Sequence, residues 1–299
     1  MMQNILKNWK IQGELIQIYR TAWSVDDEYV LKVYDNLDSL KRNEKILKTL
    51  YEMGIPVAEI VNLENGQGYC GDGTKYYMLT KKLRGNNIVD IKNNLGMAYK
   101  MGEVLAQLHM AFLKCEDDLG YWDNSLLKEM KGWIRKNLSE SGWALIKEEE
   151  FDLVVNQLEE VYDVLPKQLI HRDVNFGNFL FDQGEFSGYI DFDLSQRNIR
   201  IFDLSYFLIG LLSVELDNKI NMEEWIKIVT DVIVGYESQT KLLRVEKESI
   251  PCVMKCIELL FVAYFSGIDN KECAMDAVRL YELVCEKEEE ILGGVFHNI

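Results

Sequence analysis

Apolar and polar positions alternate in short runs over the first eighty residues. Gly13–Tyr19 (GELIQIY) and Glu28–Tyr34 (EYVLKVY) flank a polar turn at Asp26, Asp27 and Glu28, which reads as a pair of antiparallel strands. One helix interrupts this pattern, from an N-cap at about Asp38 or Ser39 to a stop at Gly54 with Pro56 just beyond. Leu40, Leu47 and Tyr51 form one stripe of that helix, and Glu44 falls within it, so a carboxylate is expected to point inward. A further strand over Tyr76–Leu83 ends at Arg84 and Gly85, the expected crossing between two lobes. Beyond it the helical period dominates, over Leu95–Phe112, Leu126–Leu138, Glu149–Leu165, Phe202–Leu216, Met222–Glu237, Val245–Phe265 and Ala274–Leu292. The sequence therefore predicts an α+β protein with a strand-rich lobe over 1–84 and a helical lobe over 85–299.

Length and charge sharpen this division. A chain of 299 residues suits two lobes better than one domain. Residues 1–84 hold 12 basic and 11 acidic side chains, and residues 85–299 hold 21 and 38, so nearly all of the net charge of −16 sits in the second part. Such a charge repels nucleic acid and anionic membranes, so neither is an expected partner. The opening MMQNILKNWK lacks a signal-peptide pattern, and the apolar stretches Leu204–Leu212 and Ile257–Ser266 are too short or carry Glu258, so a cytoplasmic location is expected. Six cysteines without C-x-x-C spacing exclude a disulfide framework or zinc site, and Cys252 and Cys256 read as buried thiols on one helical face.

The candidate chemistry is concentrated in residues 169–207. Phe179–Phe181 and Gly188–Phe192 describe a hairpin. A turn centred between Gly184 and Glu185 would set Asn178 opposite Asp191, with Cβ atoms ~4.5–5.5 Å apart. Two such hard oxygen donors could share one Mg²⁺ at ~2.0–2.1 Å. Asp173, five residues earlier, could approach the same corner without binding the metal, as a base orienting an incoming hydroxyl for phosphoryl transfer.

His171, Arg172, Asp173 and Asn178 (H-R-D-x-x-x-x-N), followed by Ile190–Phe192 (I-D-F), resemble the protein-kinase-like superfamily. The closer resemblance is to its aminoglycoside phosphotransferase and choline kinase branch, whose members phosphorylate small molecules. That resemblance covers roughly residues 13–210 and implies a bilobal fold binding ATP or GTP, with Asp173 as catalytic acid/base and Asn178 and Asp191 as Mg²⁺ ligands. It also implies that Lys32, which interrupts an apolar strand, contacts nucleotide phosphates and pairs with Glu44. Met78–Lys82 (Met78, Thr80 and Lys82 among them) would present backbone groups to the base, and His171 and Asp203 would have structural roles.

Three departures bear on the branch and on the grip. Tyr19–Val25 (YRTAWSV) has no glycine where many kinases carry a Gly-rich loop. Asp193 replaces the Gly of D-F-G, and Asn175 stands where protein kinases commonly have Lys. Only eleven residues separate Asp191 from Asp203, too few for a peptide-docking activation segment, which disfavours a protein kinase.

Other candidates read as structural. His109 lies in an apolar helical stripe as a core histidine, His297 belongs to the terminus, and Glu148–Glu150 and Glu286–Glu290 are solvated faces. Trp122, Trp133 and Trp143 could line an acceptor pocket, although aromatic residues at such spacing are usually core. The expected function is transfer of a γ-phosphoryl group to a hydroxyl of a small polar acceptor, which the acidic second lobe would favour as cationic or polyhydroxylated. An aminoglycoside, choline or another amino alcohol, homoserine and a sugar such as methylthioribose all stay open, as do ATP versus GTP and the oligomeric state. The alternative is a catalytically silent nucleotide-binding regulatory or structural protein of the same fold.

Overall fold

The computed structural model describes residues 2–87, 96–119, 124–215 and 221–296. Trp122 and His297 lie outside the described residues. The chain groups into two compact units, one of Met1–Val89, Asp117–Gly120 and Phe176–Leu194, the other of Asp90–Glu116, Tyr121–Asn175 and Ser195–Ile299. Residues 176–194, which a single boundary at 84/85 leaves with the helical part, group with the N-terminal strands.

The N-terminal unit begins with α1 (Met2–Leu6) and a 3-10 turn, then β1 (Leu15–Tyr19), β2 (Ala22–Val25), β3 (Tyr29–Tyr34), α2 (Leu37–Glu52), β4 (Tyr69–Gly71), β5 (Tyr76–Lys81) and β6 (Asn86–Asn87). The first five strands form an antiparallel sheet in the order β1-β2-β3-β5-β4. The expected polar turn joins β2 to β3, with Asp26 and Asp27 both at positive φ, a conformation that Asp tolerates and that matches strand twist. Period-two alternation gives the sheet two faces. Val25, Leu31, Tyr77 and Leu79 pack with Ile5, Leu6 and Trp9 on one. Lys32, Tyr34, Met78 and Thr80 belong to the other, where α2 packs.

Helix α2 starts two to three residues earlier than the sequence suggests. Its N-cap is Asn36, whose side chain accepts from Ser39 N at 2.8 Å. The buried stripe is Leu40, Asn43, Ile46, Leu47 and Leu50, while Tyr51 is exposed. The expected stop holds: Gly54 has φ +76°, and Ile55 N donates to Leu50 O, closing the last turn.

The helical unit follows with α3 (Met97–Leu119), α4 (Leu126–Glu129), α5 (Arg135–Glu140), α6 (Glu148–Tyr162) and β7 (Lys167–Ile170). The helix expected over Leu126–Leu138 is broken, with a π turn at Met130–Ile134 where Gly132 leaves the helical region. The chain then returns to the first unit for the hairpin β8 (Phe179–Asp182) and β9 (Glu185–Tyr189), with β6 on its other edge. It re-enters the helical unit through β10 (Gln196–Ile199), α7 (Ile201–Glu215), α8 (Met222–Glu237), α9 (Arg244–Gly267), α10 (Lys271–Glu286) and α11 (Glu288–Phe296). β10 pairs antiparallel with β7, Gln196 opposite Ile170, which fixes the strand end from which residues 171–175 depart. Among the described residues α9 alone is long and apolar enough, by length and composition, to cross a membrane, and two thirds of its apolar window is buried against the rest of the chain.

Candidate active site

The N-terminal unit gathers charge around Lys32. Its Nζ lies 2.7 Å from Asp191 Oδ1 and 2.7 Å from Asp193 Oδ2, with side-chain exposures of 18, 39 and 36%. Burial pulls the Lys32 ammonium down, but the carboxylates of Asp193 and Asp191 outweigh it and the net shift is upward. The expected Lys32–Glu44 pair is not what forms. Glu44 pairs with Lys48 one turn along α2 at 2.6 Å, and its carboxylate turns toward Gly68, where any Cβ would lie 2.5 Å from Oε1. The physical reason is the helix register: Asn43, not Glu44, occupies the buried stripe. Asn43 Nδ2 donates to Tyr34 OH at 2.8 Å and also to Asp193 Oδ1.

The β8–β9 hairpin shifts the expected pairing as well. Its two-residue turn is Gln183–Gly184, both at positive φ, with Asp182 opposite Glu185. A register shift between Leu180 and Phe181 then leaves Phe179 opposite Tyr189, and Ile190 N donates to Asn178 O. Asn178 therefore faces Ile190 rather than Asp191. Asp191 follows at φ +64°, a turn of backbone that redirects its carboxylate to Lys32. The two oxygen donors sit one position out of the predicted opposition, within the same unit.

Strand β5 is committed on both edges. Lys82 N donates to Glu28 O, and by antiparallel parity Met78 and Thr80 also direct their backbone groups at β3. Val61 N donates to Leu79 O, and Lys81 N to Glu59 O. The backbone of Met78–Lys82 is thus largely used inside the sheet. The Lys82 side chain pairs with Asp27.

The helical unit holds Asp173 on a loop braced from beneath. Asp203, at the start of α7, is fully buried, and accepts from His171 N at 2.8 Å and Arg172 N at 2.9 Å. These bonds hold Arg172 at φ +72°, a left-handed conformation that non-glycine residues rarely adopt. Asp203 Oδ2 also faces His109 Nε2 at 3.0 Å, and His109 Nδ1 faces Tyr236 OH at 2.8 Å. Because an ionised carboxylate only accepts, His109 donates to it from Nε2. Asp173 itself accepts from Asn175 Nδ2 at 2.8 Å and from Tyr206 OH at 3.1 Å. Burial, and then the Asp173 carboxylate, raise the Tyr206 phenol, so it stays a proton-bearing donor. Arg172 pairs with Glu129 at 2.8 Å and lies over the Phe202 ring, and Glu129 also accepts from Trp133 Nε1 at 3.4 Å. Trp143 packs instead against Phe151 and Arg135.

The sequence reading missed Asn43, Tyr34, Tyr206 and Tyr236, and took His109 only as a core residue. Asn43 was detectable as a polar position three residues after Leu40 and four before Leu47. The two distal tyrosines carry no local signal, because their partners are distant in the chain.

Comparison with known proteins gives this geometry its context. Residues 14–244 match the family model APH, the phosphotransferase enzyme family. A homoserine kinase of Polaromonas naphthalenivorans (strain CJ2) is 24% identical over 217 residues, which are 66% of this chain and 64% of that enzyme, so the match spans less than two thirds of its length. An amicoumacin kinase solved in complex with AMP-PNP, Ca²⁺ and Ami superposes with a TM-score of 0.68 at 16% identity, covering 91% of this chain and 88% of that one. A microcompartment-associated aminopropanol kinase gives 0.68 at 15% identity, over 97% and 98%. The fold is that of the protein-kinase-like small-molecule kinases, and the chain belongs to the APH phosphotransferase enzyme family.

Proposed function

We propose that this protein transfers the γ-phosphoryl group of ATP or GTP to a hydroxyl of an aminoglycoside-like or other small polar acceptor. The observation that carries the reading is the convergence of Lys32 with Asp191 and Asp193, about 160 residues apart in the chain, into one cluster of a cation and two acids. Lys32 would exchange carboxylate for phosphate oxygens. Asp191 and Asn178 supply hard oxygens suited to Mg²⁺, which takes one or two protein carboxylates and completes its shell with phosphates and water. Among the described residues no group of three or more His, Cys, Asp or Glu could hold a metal alone, which fits a cation that depends on the nucleotide for the rest of its ligands. Bound there, Mg²⁺ would neutralise charge on the phosphates.

Asp173 would accept a hydrogen bond from the acceptor hydroxyl, aim it for in-line attack and take its proton. Tyr206 and Asn175 orient the Asp173 carboxylate, and Asp203 fixes the loop that carries it. The backbone past Lys82 would meet the base. A second reading, a silent nucleotide-binding protein, is favoured by the two-residue β1–β2 turn at Arg20 and Thr21, which offers no glycine cradle for phosphates.

The test is Mg²⁺-dependent release of ADP and GDP across aminoglycosides, amino alcohols, amino acids and sugars, with D173A as control. Release by the natural chain, falling by a factor on the order of 10²–10⁴ in D173A, is expected. Full turnover in D173A would overturn the role of Asp173, and nucleotide binding without any transfer would favour the silent protein.

A further inference from the structure

We propose that Asn43 and Tyr34 are positioning residues for Lys32, acting through Asp193, and that Glu44 takes no part in holding the lysine. This rests on the reading of Lys32 as the phosphate-contacting residue. Asp193 is gripped from two sides, by Lys32 Nζ at 2.7 Å and by Asn43 Nδ2, and its charge also acts on the nearby hydroxyl of Tyr34. Asn43 and Tyr34 are themselves joined at 2.8 Å, and both are buried, at 4 and 5% exposure. The 3-10 turn Phe192–Leu194 that carries Asp193 packs on α2, so the helix and this acid form one contact.

The amide orientation of Asn43 supports this assignment. Both acceptors lie on its Nδ2, while its Oδ1 is buried with no hydrogen-bond partner. A buried acceptor left unpaired is costly, so an amide that keeps this orientation is held by the carboxylate it serves. Glu44 is engaged elsewhere, by Lys48 and the close approach of Gly68. The division of labour between the two acids follows. Asp191 is tied to Lys32, whereas Asp193 is anchored both by Lys32 on β3 and by Asn43 on α2. When Asp191 turns to a cation, Asp193 keeps Lys32 extended.

The test reads Lys32 directly in the full chain without nucleotide, by ¹⁵N NMR of its ammonium, assigned by loss of the signal in K32R. A paired ammonium exchanges its protons slowly with water. N43L should speed that exchange by about tenfold, the effect of losing roughly one charge-assisted hydrogen bond. N43D keeps the shape but removes the donors, so it should act like N43L although packing is preserved, and Y34F should give a smaller effect of the same sign. E44Q should stay within about twofold of the natural chain, well under one such bond. Calorimetry with Mg-ATP and Mg-GTP should follow the same order, with N43L and N43D weakening the better-bound nucleotide by about tenfold. E44Q matching N43L, or N43D and Y34F both behaving as the natural chain, would overturn the proposal. Failure of the natural chain to bind either nucleotide would instead overturn the phosphate role of Lys32, while the exchange rates still decide the network.

Discussion

The two units hold buried charge by opposite means. Around Lys32, one cation is set against two acids that are each more than a third exposed. Around Asp203, one acid with no exposed surface is held by two backbone N–H groups and a histidine that is itself 1% exposed. A charge balanced by another mobile charge can trade its partner for a ligand, whereas a charge held by fixed dipoles cannot leave without exposing them all. The first arrangement suits a binding site and the second a brace. The Asp203 network extends through His109 to Tyr236, which Arg200 also contacts, so α3, α7 and α8 converge on the loop bearing Asp173.

Removing the brace should cost most. D203N turns an amide toward donors that need an acceptor, and should destabilise the chain by about 3–5 kcal/mol, read by denaturant unfolding. H109L, which leaves Asp203 its two backbone donors, should cost about 1–3 kcal/mol in the same assay and lower turnover by disturbing Arg172. A loss for H109L equal to that for D203N would mean that the histidine, not the backbone pair, carries the carboxylate.

Glu258 provides a contrast inside the helical unit. It is almost as buried as the Asp203 network, and burial alone pushes its carboxyl up to about 8. The folded chain then keeps this proton up to about pH 8, while the unfolded chain releases it near the ordinary value of 4.5. Folding therefore favours the protonated form, and stability from this site falls as pH rises between those values. E258Q should match the natural chain near pH 4.5 and exceed it by about 2–4 kcal/mol at pH 8 and above. Equal stability at pH 8 would show that Glu258 has found a partner.

The smallest effect on stability is expected at the exchangeable cluster. K32M removes a cation from between two half-exposed acids, and its unfolding free energy should move by no more than about 1 kcal/mol. Mg-nucleotide affinity should nevertheless fall by about ten- to a hundredfold, the worth of one or two charge-assisted bonds. Stability loss comparable to that of D203N would place Lys32 with the brace.

Much of this was legible in the sequence because it is local. The alternation of β3, the period of the long helices, the Asp26–Asp27 turn, the Gly54 stop and the His171–Asn178 motif depend on neighbours within a few residues, where backbone preference and side-chain period act directly. Residue types in a fixed order therefore pointed to Lys32, Asp173, Asn178 and Asp191 as candidates, and to the family whose model residues 14–244 match. Tertiary structure decided the register and the partners. Packing placed Asn43 rather than Glu44 on the buried stripe of α2, and a shift in β8–β9 moved Asn178 from Asp191 to Ile190. His109 finds Asp203 94 residues away and Tyr236 127 away. A single-residue change of register costs the local sequence almost nothing, so only the competition for burial and for hydrogen-bond partners across the fold selects one.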